Sequence, residues 1–144
     1  MVDIKSCRED EIKSMLCNCE DITNVNGYFC ELNQLGENLR EDMLQNKLLK
    51  FLNALGNIER LIIFSTLKEK DRCVCELEAI LKKSQSSISH HLRILEETGV
   101  IKGWKKGKFT YYGIENDIVM RNLTQFIEFL GKETIINKNE DLIK

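Results

Sequence analysis

At 144 residues, with 42% hydrophobic and 31% charged side chains, the chain is long enough for one hydrophobic core and a short appendage. No run approaches the roughly 18 to 20 consecutive apolar residues that span a bilayer, and the opening MVDIKSCREDEIK carries acidic residues where a signal peptide has its apolar run. A cytoplasmic protein with no membrane partner is therefore expected.

The net charge of −2 speaks weakly against nucleic acid until it is divided by segment. Residues 82–112 hold seven basic side chains (Lys82, Lys83, Arg93, Lys102, Lys105, Lys106, Lys108) against Glu96 and Glu97, a net of +5 that leaves −7 for the rest. A basic patch on an acidic body is the electrostatic footprint of a phosphate-binding surface. The six cysteines, Cys7, Cys17, Cys19, Cys30, Cys73 and Cys75, are expected to be reduced thiols in such a compartment, which suggests metal binding or redox chemistry rather than a disulfide framework.

Residues 1–36 are polar, hold four of the cysteines and show no sustained helical stripe, so they read as a semi-ordered arm with a turn at Asn24 to Gly27. From Glu37 the domain begins. Leu39, Met43, Leu44, Leu48, Phe51, Leu52 and Leu55 recur at spacings of three and four, predicting an amphipathic helix that Gly56 ends. Asn57 can cap a second helix, apolar on several faces through Leu67. After the charged break Lys68 to Arg72, a short helix is predicted from about Cys75 to Lys83, with Leu77, Ile80 and Leu81 inward. Ser84 or Ser86 then caps a helix to Thr98 whose Ile88, Leu92 and Leu95 dock at i, i+4 and i+7, with Gly99 placed to end it. Two short helices joined by a small polar turn make a helix-turn-helix.

The segment KGWKKGKFTYYGI predicts a two-stranded hairpin turning at Lys106 and Gly107. Ile118, Val119, Leu123, Phe126, Ile127 and Leu130 then give a last amphipathic helix, closing a domain over 37–132 before a polar tail at 133–144. The fold class is mainly α with a two-stranded β-wing.

The stretch RCVCELEAILKKSQSSISHHLRILEETGVIKGWKKGKFTYYGI closely resembles the ArsR/SmtB family of winged helix-turn-helix regulators, over about Leu39 to Leu130. The resemblance rests on three linked features: CVCEL opening the first helix of the helix-turn-helix, SQSSISHHLRIL in the recognition helix, and a GKFTYYGI wing. It implies a homodimer formed by the first and last helices, a recognition helix in each major groove of double-stranded operator DNA, and an inducer that weakens DNA binding. The residues agree on their own terms, because Gln85, Ser86, Ser87, Ser89, His90 and Arg93 can reach base edges and phosphates, and Lys105, Lys106 and Lys108 can neutralise phosphates. The competing reading of the serines is helix capping alone, that of the lysines is a solvated turn, and His91 is as readily a packing residue as a DNA contact.

In a regular helix Cys73 and Cys75 would point about 200° apart and could not chelate one ion unless the backbone bent. Two thiolates also leave a soft ion's shell of three or four ligands incomplete. The cadmium- and lead-sensing branch of the family completes it with thiols from an N-terminal arm, a part open here to Cys7, Cys17, Cys19 or Cys30; where the arsenite-sensing branch carries a third cysteine, Glu78 stands. All-sulfur ligation favours As(III), Sb(III), Cd(II), Pb(II) or Cu(I), with Zn(II) also possible. The family's other site, on the last helix, uses histidine, and none is present there. The alternatives are a thiol-redox switch or a constitutive repressor without metal. With no phosphate-binding glycine loop and no histidine–carboxylate constellation, an enzyme is not expected.

Overall fold

The computed structural model describes residues 4–19 and 21–131. The chain divides into two compact units, Met1–Asn46 and Lys47–Lys144. The expected polar tail at 133–144 lies outside the described residues.

The first unit departs from a semi-ordered arm. It contains α1 (Ile4–Leu16) and α2 (Val25–Glu41), so the expected domain start at Glu37 falls inside a helix. The Asn24–Gly27 pair read as a turn is the first turn of α2: the Asn24 side chain accepts from the Gly27 N–H at 3.1 Å and caps the helix. A helical stripe does run along α2, as Tyr28, Leu32, Leu35 and Leu39 recur at spacings of four, three and four. It is one residue wide and stays exposed, which is why it is faint in sequence. The Lys13 ammonium lies 5.0 Å from the centre of the Phe29 ring, a cation–π contact.

The predicted helix from Glu37 to Leu55 is also broken at Asp42, which adopts an extended backbone (φ −62°, ψ 118°) and caps the next helix by accepting from the Gln45 N–H at 2.8 Å. Helix α3 (Met43–Leu55) starts at that cap.

The second unit is the winged helix-turn-helix. Asn57 caps α4 (Ile58–Glu69) by accepting from the N–H groups of Glu59 and Arg60, and the Arg60 guanidinium returns to the α3 terminus, donating to the carbonyls of Ala54 and Asn53. Thus the cap of one helix and the orphan carbonyls of the previous one are satisfied at a single corner. Helix α4 runs into the expected charged break before β1 (Arg72–Cys73), α5 (Val74–Leu81) and α6 (Gln85–Glu97).

Lys82 takes the left-handed conformation (φ 54°) that turns the chain between α5 and α6, and Ser84 caps α6, accepting from the Ser87 N–H at 3.3 Å. Gly99, at φ 75°, ends it. The hairpin β2 (Ile101–Lys106) and β3 (Phe109–Ile114) closes through Gly107, at φ 63°, and Lys108. A third strand joins it, since β1 pairs antiparallel with β3 in the order β1-β3-β2. Helix α7 (Asn116–Leu130) completes the unit's described elements.

The core is built from Phe51 and Ala54 of α3, Ile63 and Leu67 of α4, Leu77 of α5, Ile88, Leu92 and Leu95 of α6, and Val100 and Ile101. The three α6 residues fill one face of the recognition helix, so its other face is left to solvent. Truncating such a buried leucine costs about 2–5 kcal/mol, which fixes how firmly α6 is seated.

Candidate nucleic-acid interface

The exposed face of α6 carries the residues expected to meet DNA. Gln85, Ser86, Ser89, His90 and Arg93 are exposed, and Ser86, Ser89, His90 and Arg93 line one shallow depression. Ser87 is half-buried, and its N–H is taken by the Ser84 cap. Of the serines, Ser84 is the cap, and its hydroxyl lies 3.1 Å from that of Ser86. Arg93 is held loosely, with its guanidinium 3.5 Å from His90 Nδ1 and 3.9 Å from Glu97.

His91 turns the other way. Its Nδ1 is buried without a hydrogen-bond partner, and burial, reinforced by the nearby Arg60 and His90, holds its pKa below the ordinary histidine value. Of the two readings for this residue, packing fits the geometry.

On the wing, Lys105, Lys106 and Lys108 are all exposed, and the Lys106 ammonium sits 5.7 Å from the centre of the Tyr111 ring. Recognition helix and wing are joined by a hydrogen bond invisible in sequence, from the Gly103 N–H to the Glu96 carboxylate at 3.1 Å.

The thiols are arranged differently from two residues of one regular helix. Cys73 is the N-cap of α5, with extended backbone (φ −85°, ψ 166°), and it doubles as a strand residue opposite Tyr111. The 200° separation therefore does not hold, because the backbone already bends between Cys73 and Cys75. The Cys73 N–H donates to the Glu76 carboxylate at 2.9 Å, and this bond, with help from Lys70, holds Glu76 below the usual carboxylate range. Cys73 is buried while Cys75 is exposed. Partial loss of hydration, then the adjacent Cys73, raises the Cys75 thiol.

Two sulfur donors one residue apart, with the backbone bending between them, are a partial fit to a soft ion. Among the described residues no group of three or more His, Cys, Asp or Glu is placed to hold a metal. Cys17 and Cys19 are exposed in the first unit, and the side chain of Cys7 lies outside the described residues.

Residues 59–102 match the profile of a family described as bacterial regulatory protein, arsR family. The chain is 32% identical over 111 residues to a transcriptional repressor SmtB homolog of Synechocystis sp., covering 75% of this chain and 84% of that one. The chain belongs to the arsR family.

This arsR-family regulator is also 32% identical to the cadmium resistance transcriptional regulatory protein CadC of Listeria innocua, over 60% of its own length and 71% of CadC. Among solved structures it is similar to HlyU from Vibrio cholerae, at 27% identity and a TM-score of 0.50, over 60% of this chain and 96% of that one. The arsR-family protein is accordingly a DNA-binding transcriptional regulator with a winged helix-turn-helix, and not an enzyme. Among the described residues no helix is long and apolar enough to cross a membrane.

Proposed function

We propose that the protein is a homodimeric repressor that binds operator DNA through Gln85, Ser86, Ser87, Ser89, His90 and Arg93 of α6 and through Lys105, Lys106 and Lys108 of the wing, and that a soft ion on Cys73 and Cys75 releases it. The observation that carries the DNA reading is the division of α6 into a core face and a solvent face that holds every polar candidate except the half-buried Ser87. The helix fits a major groove, and its N-terminal dipole favours phosphate.

Dimerisation through α3 and α7 is supported by the apolar side chains these helices leave in solvent, Leu49 and Leu52 on α3 and Met120, Leu123 and Ile127 on α7.

The inducer reading is supported by the two thiols one residue apart at the start of α5 and by the relative named for cadmium resistance. A thiophilic ion bound there would supply charge and fixed sulfur geometry at the start of α5, and Cys7, Cys17 and Cys19 are the thiols that would complete its shell. Holding both sulfurs would displace Cys73 from the position where its N–H donates to Glu76. That would loosen the first turn of α5, against which α6 packs, and the ladder from Cys73 to Tyr111 that leads into the wing. Couplings of this kind are about 1–3 kcal/mol, or 5- to 150-fold in affinity.

Two free thiols one residue apart also favour a second reading. Hydrogen peroxide would take two electrons and two protons from Cys73 and Cys75, leaving a disulfide and two waters.

Fluorescence anisotropy of reduced protein on duplex from upstream of its own gene, with and without Cd(II) or As(III), separates these. Tight binding released by about one equivalent of ion per protomer, and lost as a response in the Cys73→Ser, Cys75→Ser double variant, supports the inducer reading. Release by peroxide alone supports the redox one. Binding indifferent to both leaves a constitutive repressor.

A further inference from the structure

The two faces of the wing are chemically distinct. Opposed residues of an antiparallel pair share a face and successive residues alternate, so the register puts Ile101, Gly103, Tyr112 and Ile114 on one side and Lys102, Trp104, Lys106, Phe109 and Tyr111 on the other. Ile101, Tyr112 and Ile114 belong to or pack against the core. The second side is turned to solvent, and on it Phe109 stands out.

Phe109 is the first residue after the two-residue turn, opposite Lys106, and half of its surface is exposed. The other exposed aromatic of this face, Trp104, is laid back over the sheet: a Cβ on Gly113 would come within 3.0 Å of its Cη2. Tyr111 is half-buried beneath the Lys106 ammonium. Phe109 is therefore the exposed aromatic at the tip of this face, opposite Lys106 in the register and directly after Lys108 in the turn. An apolar ring at the apex of a cationic turn matches a minor groove, where phosphates form both rims and the walls are apolar sugars.

We propose that Phe109 is a specificity-determining contact that enters the minor groove beside the wing and favours A·T over G·C steps there, because the guanine amino group occupies the floor the ring needs. This rests on the DNA-binding reading above. The lysines contribute affinity without sequence preference, and Phe109 contributes sequence preference without charge.

The test uses the full chain and a duplex it enriches from a random-sequence pool. The A·T steps adjoining each half-site are replaced first by G·C and then by inosine·cytosine, which lacks the minor-groove amino group. The wild type should lose about tenfold in affinity on G·C, within the usual cost of a wrong base pair, and recover on inosine·cytosine. Phe109→Ser should bind all three duplexes alike, with an unchanged slope of affinity against salt and an unchanged melting temperature.

Equal binding of the three duplexes by the wild type, or a Phe109→Ser variant that still separates G·C from inosine·cytosine, overturns the inference while leaving DNA binding in place. Failure to enrich any duplex overturns the DNA reading itself, and this inference with it. Should Phe109→Ser be poorly folded, the inosine recovery of the wild type remains decisive.

Discussion

The Gly103 N–H in the first strand of the wing donates to the Glu96 carboxylate on the recognition helix at 3.1 Å, and a Cβ on Gly103 would come within 2.8 Å of the Tyr112 ring. The wing is thereby keyed to α6 at a position too tight for a side chain. Gly103→Ala should force Tyr112 or the strand to shift, costing about 1–3 kcal/mol in urea unfolding. Glu96→Ala, which removes an exposed acceptor, should cost about 0.5–1.5 kcal/mol yet weaken DNA binding more than Glu96→Gln, which keeps a carbonyl acceptor. Equal DNA affinities of the Ala and Gln variants would show that the bond does not position the wing.

Glu76 joins the α5 cap to the charged segment ahead of it. It accepts from the Cys73 N–H and lies 3.4 Å from Lys70 and 3.8 Å from Arg72. Glu76→Ala removes the reciprocal half of the cap and should cost about 1 kcal/mol. Glu76→Gln keeps the acceptor and loses only partly exposed ion pairs, so its cost should stay below about 1 kcal/mol. Chemical denaturation of both variants at neutral pH measures the difference, and indistinguishable stabilities would mean the cap contributes nothing.

His91 gives a pH dependence of defined sign. Burial lowers its pKa in the folded state, with Arg60, His90 and Lys83 acting the same way and Glu59 opposing. The fold thus favours the neutral ring. Its contribution to stability is intact above the unfolded value near about 6.5 and is lost as pH falls through the lowered folded value. The melting temperature should fall between pH 7 and pH 5, and less so in His91→Leu, which also removes the unpartnered Nδ1. Parallel pH profiles for the two proteins would assign the acid sensitivity to another group.

Local chemistry sets the features that were legible in the sequence. Asn57 and Ser84 cap the helices they precede, Gly99 ends α6, and Ile88, Leu92 and Leu95 face the core, because caps and periodicity are short-range signals. The helices of the first unit were not legible, since α2 buries nothing and its stripe of Tyr28, Leu32, Leu35 and Leu39 is a single file among polar residues. Nor was β1, whose two residues have no period to detect and whose partner lies some forty positions away at Tyr111 and Tyr112. The same strand explains the misplaced geometry of the thiols: Cys73 is extended because it pairs with Tyr111, a tertiary fact that helical spacing around CVCEL conceals. Of the candidate site residues, the exposure of those on α6 and the wing tip could be anticipated from residue type and position, while the link from Glu96 to Gly103 depends on how the two elements pack.

Arg93 and Lys108 allow the two halves of the interface to be told apart. Arg93 lies midway along α6, exposed and tied only at 3.5 Å to His90 and 3.9 Å to Glu97, so its guanidinium is free to turn toward a groove. Lys108 is at the hairpin turn, exposed. If Lys108 meets phosphate, Lys108→Ala should weaken binding to every duplex by a similar factor and reduce the slope of log affinity against log salt by about one. If Arg93 reads a base edge, Arg93→Ala should cost about 1–3 kcal/mol on a preferred duplex and much less on a scrambled one, compressing the ratio between them. Neither side chain supports the core, so both variants should melt as the wild type does. Unchanged affinity in both would remove α6 and the wing as the binding face, whereas a uniform loss from Arg93→Ala would make it a second phosphate contact and shift base recognition toward Gln85, Ser86 and Ser89.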